Sequence, residues 1–335
     1  MSFLVFLDCL IAAHADLWRT YDPDDYAERL RNCQRQRPEV VLAGGSTVSE
    51  GIDPRFLAGL TWQGQPLKHV YNLGLPGGTT AEVWHGVRHG LPRPPRLLIY
   101  GITASDLNDA RGEPHGPGTL MSAHDVMDWA RHRPGAAEWA IRHYLQARLS
   151  SAWQLYRYRN GIRLWAAERV ETLWPGAFPE AAAEARANRD YAAAMRQPHG
   201  FAPQPSRQYL RYDVIRSVID ISPTFGFLRG FRLGEYLTYL HRLLDWGEER
   251  NVTTVLVDMP VSQDLEERLH PDAFALYRRT LADIERQRGV HVLRASREAV
   301  GLSDADFADL IHLNTTGSAK LSAWLRRQLD KGWTP

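Results

Sequence analysis

Ser46, His312 and Asp309 are the residues whose types and neighbours suit acyl-ester chemistry. Ser46 follows the apolar run Glu39-Val40-Val41-Leu42-Ala43 and the pair Gly44-Gly45. A serine at a tight turn from a strand into a helix presents its hydroxyl at the carboxyl edge of a sheet. Its backbone N–H points outward there and can serve an oxyanion. The segment is not the Gly-x-Ser-x-Gly elbow, because position 48 is Val, and taken alone Gly-Gly-Ser equally describes a plain turn. Near the other end, Asp309-Leu310-Ile311-His312-Leu313-Asn314 sets a carboxylate three residues before an imidazole. On one side of a turn, that carboxylate would orient the ring and stabilise its imidazolium during proton transfer. Taken alone, Asp-x-x-His also describes an ordinary solvated pair.

Two further segments carry closely spaced small and polar residues. Asn72-Leu73-Gly74-Leu75-Pro76-Gly77-Gly78-Thr79 has glycines that let backbone N–H groups approach a ligand. A phosphate-binding P-loop is excluded, since no Lys-Ser/Thr follows the glycines, and a simple strand-to-helix turn is the competing reading. Gly101-Ile102-Thr103-Ala104-Ser105-Asp106-Leu107-Asn108-Asp109 gathers small polar side chains after a third apolar run; otherwise it is a capped loop. His85 and His89 stand four apart on an expected helix. That is a metal-like spacing, but no third ligand is evident, so the pair reads as a solvated helix face. No metal and no cofactor are expected.

The elements that must position these residues are legible as alternating strands and helices. Glu39–Ala43, Lys68–Leu73 and Arg96–Tyr100 are short apolar runs closed by glycine, as buried parallel strands are. Helices are expected over Pro54–Leu60 and Thr79–Gly90. The alternation returns late, with a helix over Leu233–Arg250 and a β-branched strand over Asn251–Val257. A helix over Pro271–Arg288, a strand over Val290–Leu293 and a helix over Thr315–Leu329 follow, the last with Thr315 or Thr316 as N-cap. The simplest assembly is one α/β domain of five parallel strands, whose sites gather at the carboxyl ends of the strands. Between about 123 and 240 the periodicity is helical, with breaks at Pro134, Pro175, Pro198, Pro203 and Pro205 and no convincing strand. The expected organisation is an N-terminal helical or anchor-like segment over 1–37, an α/β domain over 38–122 and 232–335, and a helical insertion over 123–231.

Bulk composition narrows the function classes. A net charge of +1 over 335 residues gives no global field towards nucleic acid or anionic membrane. Cys9 and Cys33 form neither a disulfide framework nor a metal-ligand spacing. Ser2–Ala15 is mostly apolar and Ala13-His14-Ala15 resembles a cleavage site, yet there is no basic leader and Asp8 interrupts the run. The segment reads as an amphipathic helix or anchor remnant, or else as a signal peptide. It is shorter than the ~20 residues a spanning helix takes.

In their order, these segments resemble the SGNH (GDSL-like) hydrolase family, over roughly 38–110 and 232–331. Gly44-Gly45-Ser46 stands for its Gly-Asp-Ser turn. Asn72, Gly74, Gly77 and Thr79 match its Asn-x-Gly-x-x-Gly-x-Thr stretch. Asp309 and His312, followed by Asn314 and Gly317, match its late Asp-x-x-His. The resemblance implies a three-layer, flavodoxin-like fold of about five parallel strands interrupted by a long helical insertion. It implies Ser46 as nucleophile, His312 as base and Asp309 as its orienting group, with Ser46 and Gly77 N–H groups as oxyanion donors. The family's third donor is an Asn in a Gly-x-Asn-Asp stretch. Here Ser105-Asp106 stands in that place and Asn108 lies two residues on, so Asn108 or Ser105 would have to serve. Gly45 in place of Asp is a second departure.

The insertion, the Gly-Gly-Ser variant and Val257-Asp258-Met259-Pro260-Val261-Ser262 make the chain similar to the family's envelope-associated branch. That branch includes alginate O-acetyltransferase-like proteins and D-alanyl transfer proteins. The similarity implies a small acyl ester or glycan substrate, a membrane-bound O-acyltransferase as partner, and a place in the cell envelope. A non-catalytic glycan-binding or scaffold protein and a cytoplasmic esterase for small metabolites are the alternatives. Between Arg131 and Arg169 there are eight arginines and two acidic residues, interleaved with Trp139, Tyr144, Trp153, Tyr156, Tyr158 and Trp165. Such a stretch can bind an anionic glycan, a membrane surface or a partner, or form a helical subdomain with solvated arginines. No nucleic-acid motif is present.

Overall fold

The computed structural model describes residues 2–22, 25–62, 64–91, 93–111, 121–132, 135, 137–195, 199–201, 209–213, 216 and 230–331. They group into two compact units, Met1–Arg29 with Gly116–Gln197, and Leu30–His115 with Pro198–Pro335. The N-terminal segment therefore groups with 116–197.

The second unit is α/β. Its strands are β1 (Val40–Gly44), β4 (Val70–Gly74), β5 (Leu97–Ile102), β6 (Thr253–Asp258) and β7 (His291–Arg294), after a small antiparallel hairpin of β2 (Thr61–Trp62) and β3 (Gln65–Pro66). The five form one all-parallel sheet in the order β4-β1-β5-β6-β7. Leaving the hairpin aside, this is the flavodoxin-like order 2-1-3-4-5, whose switch point lies between the first and third strands, here β1 and β5.

Every residue of β1, β4 and β5 is buried, as expected for a sheet covered on both faces. On one face, Val40, Leu42, Leu97, Ile99, Val255 and Val257 join Leu321, Leu325 and Leu329 of the helix Thr315–Asp330 in one core. On the other, the helices Thr80–Gly90 and Glu235–Glu249 pack on each other and against β1 and β6.

Strand ends and first helices differ in detail from the sequence reading. The glycines read as turns are the last rungs of the sheet, with Gly44 paired to both Gly74 and Gly101. The expected helix over Pro54–Leu60 is instead a helix Ser46–Gly51 followed by a 3-10 turn Pro54–Leu57, capped by Asp53. The hairpin was not expected, because two-residue strands leave no periodic signal. The N-cap of the last helix is Asn314 rather than Thr315 or Thr316; its Oδ1 accepts from the Thr316 and Gly317 N–H groups at 3.0 and 3.1 Å.

The first unit is helical among its described residues. Tyr21, on the helix Ala15–Tyr21, is buried with Leu164 of Arg159–Leu173 and Ala185 of Pro179–Met195. Its hydroxyl donates to Glu168 at 2.8 Å, and Asn188 donates to its carbonyl at 2.7 Å. Pro175 follows the helix Arg159–Leu173; Pro134, Pro198, Pro203 and Pro205 lie outside the described residues. The helix Ser2–Ala13 exposes Phe3, Leu4, Val5, Phe6 and Leu10. No described helix is long and apolar enough to cross a membrane.

Candidate active site

The turn that carries Ser46 is seated by glycines. A Cβ on Gly44 or Gly101 would run into the Val48 side chain, and one on Gly74 would run into the Ser49 backbone. Three bare rungs at the carboxyl ends of β4, β1 and β5 thus let the helix Ser46–Gly51 lie directly on the sheet edge. Asn72 on β4 fastens it there. Its Nδ2 donates to the carbonyls of Val48 and Ile52 at 2.8 and 2.7 Å, and its Oδ1 accepts from the Gly74 N–H at 2.8 Å. Ser46 stands at the first helical position, where a backbone N–H has no intrahelical acceptor.

The loop that carries His312 is held just as closely. Asn314 Nδ2 donates to the Ala305 carbonyl at 2.7 Å, and the Ala308 N–H donates to the His312 carbonyl at 2.8 Å. Asp309 folds back on its own turn: Oδ1 accepts from the Ile311 and His312 N–H groups, both at 2.9 Å, and Oδ2 meets His312 Nδ1 at 2.8 Å. The other ring nitrogen, Nε2, lies 2.8 Å from Ser46 Oγ. With its proton on Nδ1 facing the carboxylate, the ring turns a lone pair to the serine hydroxyl, the arrangement in which a histidine can take a serine proton.

A fourth group completes the cluster. Glu50, one helical turn after Ser46, places Oε2 3.9 Å from His312 Nε2. The side chains of His312, Asp309 and Glu50 are 20%, 25% and 13% exposed, so water screens them only partly. Burial pulls the imidazolium down. The hydrogen bond and charge of Asp309 and the charge of Glu50 outweigh it and raise His312 to about 9. Burial raises Asp309, but the hydrogen bond and charge of His312 and the two N–H groups bring it below the usual carboxylate range. Glu50 escaped the sequence reading, although its i+4 spacing from Ser46 on a helix was the available signal.

The expected oxyanion donors divide. Gly77 takes a left-handed φ of 72°, and the adjoining Gly78 carbonyl would stand 3.1 Å from a Cβ at Gly45, so this turn lies against the nucleophile turn. Asn108 is fully buried, but its Nδ2 donates to the Gly230 carbonyl at 2.8 Å and its Oδ1 accepts from the Ala110 and Arg232 N–H groups. Its carboxamide ties down the 230–232 chain. Ser105 lines a cavity of about 360 Å³ beside Asp258, Tyr277 and Ile311, at the carboxyl ends of β5, β6 and β7. Thr79 is an N-cap, boxed with Glu82.

His85 corrects the reading of a solvated pair. It is 1% exposed and packs against Tyr239, with ring centroids 5.5 Å apart, while His89 on the same helix is exposed. The helix Thr80–Gly90 packs against Glu235–Glu249 and buries one histidine of the two. In the helical unit, the guanidinium groups of Arg148 and Arg159 lie over Tyr144 and Tyr156, at 5.0 and 4.0 Å. Trp153 and Tyr156, with Arg142, Leu145 and Leu149, line an open hollow of about 810 Å³, whereas Tyr158 is buried and Trp165 packs edge-on to Trp18.

No protein-family model matches the chain, and no curated protein matches it.

Proposed function

We propose that the chain is an SGNH-type serine esterase or O-acyltransferase that works through an acyl-Ser46 intermediate. The observation that carries the reading is the line Ser46 Oγ, His312 Nε2, His312 Nδ1, Asp309 Oδ2, with both hydrogen bonds at 2.8 Å. Ser46 Oγ attacks the acyl carbonyl as its proton passes to Nε2. The oxyanion is received by the Ser46 N–H, with the Gly77 N–H as second donor. Collapse breaks the ester C–O bond, and the leaving alkoxide takes the proton back from Nε2. In the second half, water or a sugar hydroxyl gives its proton to Nε2 and attacks acyl-Ser46, which regenerates the serine.

The order of the matching segments supports the SGNH assignment. The similarity to the envelope-associated branch supports a small acyl ester on a surface polysaccharide as substrate, a membrane-bound O-acyltransferase as partner, and the cell envelope as location. A second reading, a non-catalytic glycan-binding or scaffold protein with this fold, is favoured by one observation. The Asn108 carboxamide is committed to the 230–232 chain, which leaves the family's third donor without its expected side chain. Intact-mass analysis after mixing with p-nitrophenyl acetate separates the two. An acetyl adduct on wild type that is lost in Ser46→Ala supports the enzyme; no adduct and no turnover in folded wild type supports the binding protein.

A further inference from the structure

The proposed chemistry uses three side chains, and a fourth stands in the same cluster without a part in it. Glu50 lies on the helix that begins with the nucleophile, and its carboxylate faces the ring nitrogen that faces Ser46. At 3.9 Å it is an ionic contact rather than a hydrogen bond, and its 13% exposed side chain keeps the interaction from being lost to solvent screening. Among the described residues, the groups facing the ring are Asp309 on its own loop, and Ser46 and Glu50 on the helix. From further off, Tyr209, with its hydroxyl on Ser262, lies within reach of the Asp309 charge.

Resting on the acyl-transfer reading above, we propose that Glu50 is a positioning residue for the base. Its carboxylate steadies the His312 imidazolium on the Nε2 side while the Ser46 oxygen is bonded to the acyl carbon.

The reaction itself creates the need. Before attack, Nε2 has the serine hydroxyl as its partner. Once Oγ has bonded to the acyl carbon, the proton sits on Nε2 and the serine oxygen is a poor acceptor. Asp309 touches only Nδ1, so from the Asp309 side alone the Nε2–H would be free to turn away from the leaving group. A carboxylate beside Nε2 keeps that edge of the ring in place until the leaving alkoxide takes the proton. The same charge favours the protonated ring in the free protein, so the help in the transition state comes with a higher pH for producing the base.

An opposite charge at about 4–6 Å shifts a pKa by roughly 1–3 units, so the isosteric Glu50→Gln should lower the His312 titration by about one pH unit or more. The test is the imidazole titration of His312, followed by NMR in wild type, Glu50→Gln and Glu50→Asp, alongside the pH profile of fluorophosphonate labelling of Ser46. The expected result is a downward shift of both the ring titration and the acid limb of labelling in Glu50→Gln, a severalfold lower plateau at high pH, and recovery of most of the shift in Glu50→Asp. A ring titration in Glu50→Gln within a few tenths of a unit of wild type overturns the proposal, whatever happens to activity; thermal melting of each variant separates misfolding from this result. If wild type never labels, the acyl-transfer reading falls and takes the role of Glu50 with it. If wild type labels and the ring does not shift, only Glu50 loses its role.

Discussion

The carboxamide of Asn72 on β4 holds the Ile52 carbonyl at 2.7 Å, and so pins the far end of the helix whose first residue is Ser46. Asn72 is fully buried, and the three hydrogen bonds of its carboxamide to described residues all go to backbone groups of the nucleophile turn or its own strand. Asn72→Ala would leave the Ile52 carbonyl and the Gly74 N–H without the partner that Asn72 supplies, at about 1–3 kcal/mol for each group that water cannot reach, while the Val48 carbonyl keeps the Ile52 N–H at 3.2 Å. The variant should lose about 3 kcal/mol in urea unfolding, and its labelling at Ser46 should slow even where the protein is fully folded.

Gly45 makes a sharper test, because the family resemblance suggests an Asp there. A Cβ at this position would meet the Gly78 carbonyl oxygen at 3.1 Å and the Asp106 carboxylate at 3.6 Å. The added carboxylate of Gly45→Asp would face two oxygens, one of them charged. The substitution should therefore destabilise, by about 1–3 kcal/mol as overpacking does, rather than restore a family feature. Thermal unfolding at pH 7 measures it, and a gain in stability would contradict the packing described.

The His312 value of about 9 places the acid limb of any His-dependent reaction of Ser46 in the alkaline range. Labelling should rise tenfold per pH unit below about 9 and level off above it. The folded-state value lies above the ordinary value for histidine, so the stability it contributes is fully present below about pH 6.5 and is lost as pH rises through about 9. Asp309→Asn removes the larger source of this shift. By analogy with the effect of the same change in a serine-protease triad, it should cut labelling by roughly 10⁴-fold.

Asp258, at the end of β6, titrates in the other direction for an acid. Burial raises it to about 6, against the Tyr277 hydroxyl that donates to it at 2.8 Å and the charges of Arg278 and Arg294. Because the folded protein favours its neutral form, its contribution to stability is complete below about pH 4 and falls as pH rises through about 6. Asp258→Asn keeps an oxygen for Tyr277 and removes the buried charge. It should raise stability by about 3 kcal/mol at pH 8 and leave it unchanged at pH 4, as read by denaturant melts at the two pH values.

The five strands were legible because a parallel sheet covered on both faces demands unbroken apolar runs, and Val40–Ala43, Leu97–Tyr100 and Val255–Val257 are such runs. Ser46, Asp309 and His312 were legible because each stands at a strand end or in a local turn, where spacing alone limits the geometry. The parts that escaped depend on tertiary contacts. Gly44, Gly74 and Gly101 read as punctuation, and only the crossing of Val48 and Ser49 explains them as bare rungs. Asn108 was a candidate donor two residues past the place of the family's Asn, but its carboxamide is drawn to the chain at 230–232, more than a hundred residues away. His85 looked solvated because a single helix does not reveal that the helix Glu235–Glu249 covers it. Glu50 went unnoticed because its meaning comes from His312, brought to it from the far end of the chain.

The central claim is an activated serine at position 46, and covalent labelling with a fluorophosphonate at pH 9, with the modified peptide located by mass spectrometry, tests it most directly. The account expects wild type to label at Ser46 alone, Ser46→Ala not to label, and His312→Ala to label at least a hundredfold more slowly, within the range that a positioned base contributes. Equal labelling rates in wild type and His312→Ala, or a folded wild type that does not label, would contradict it.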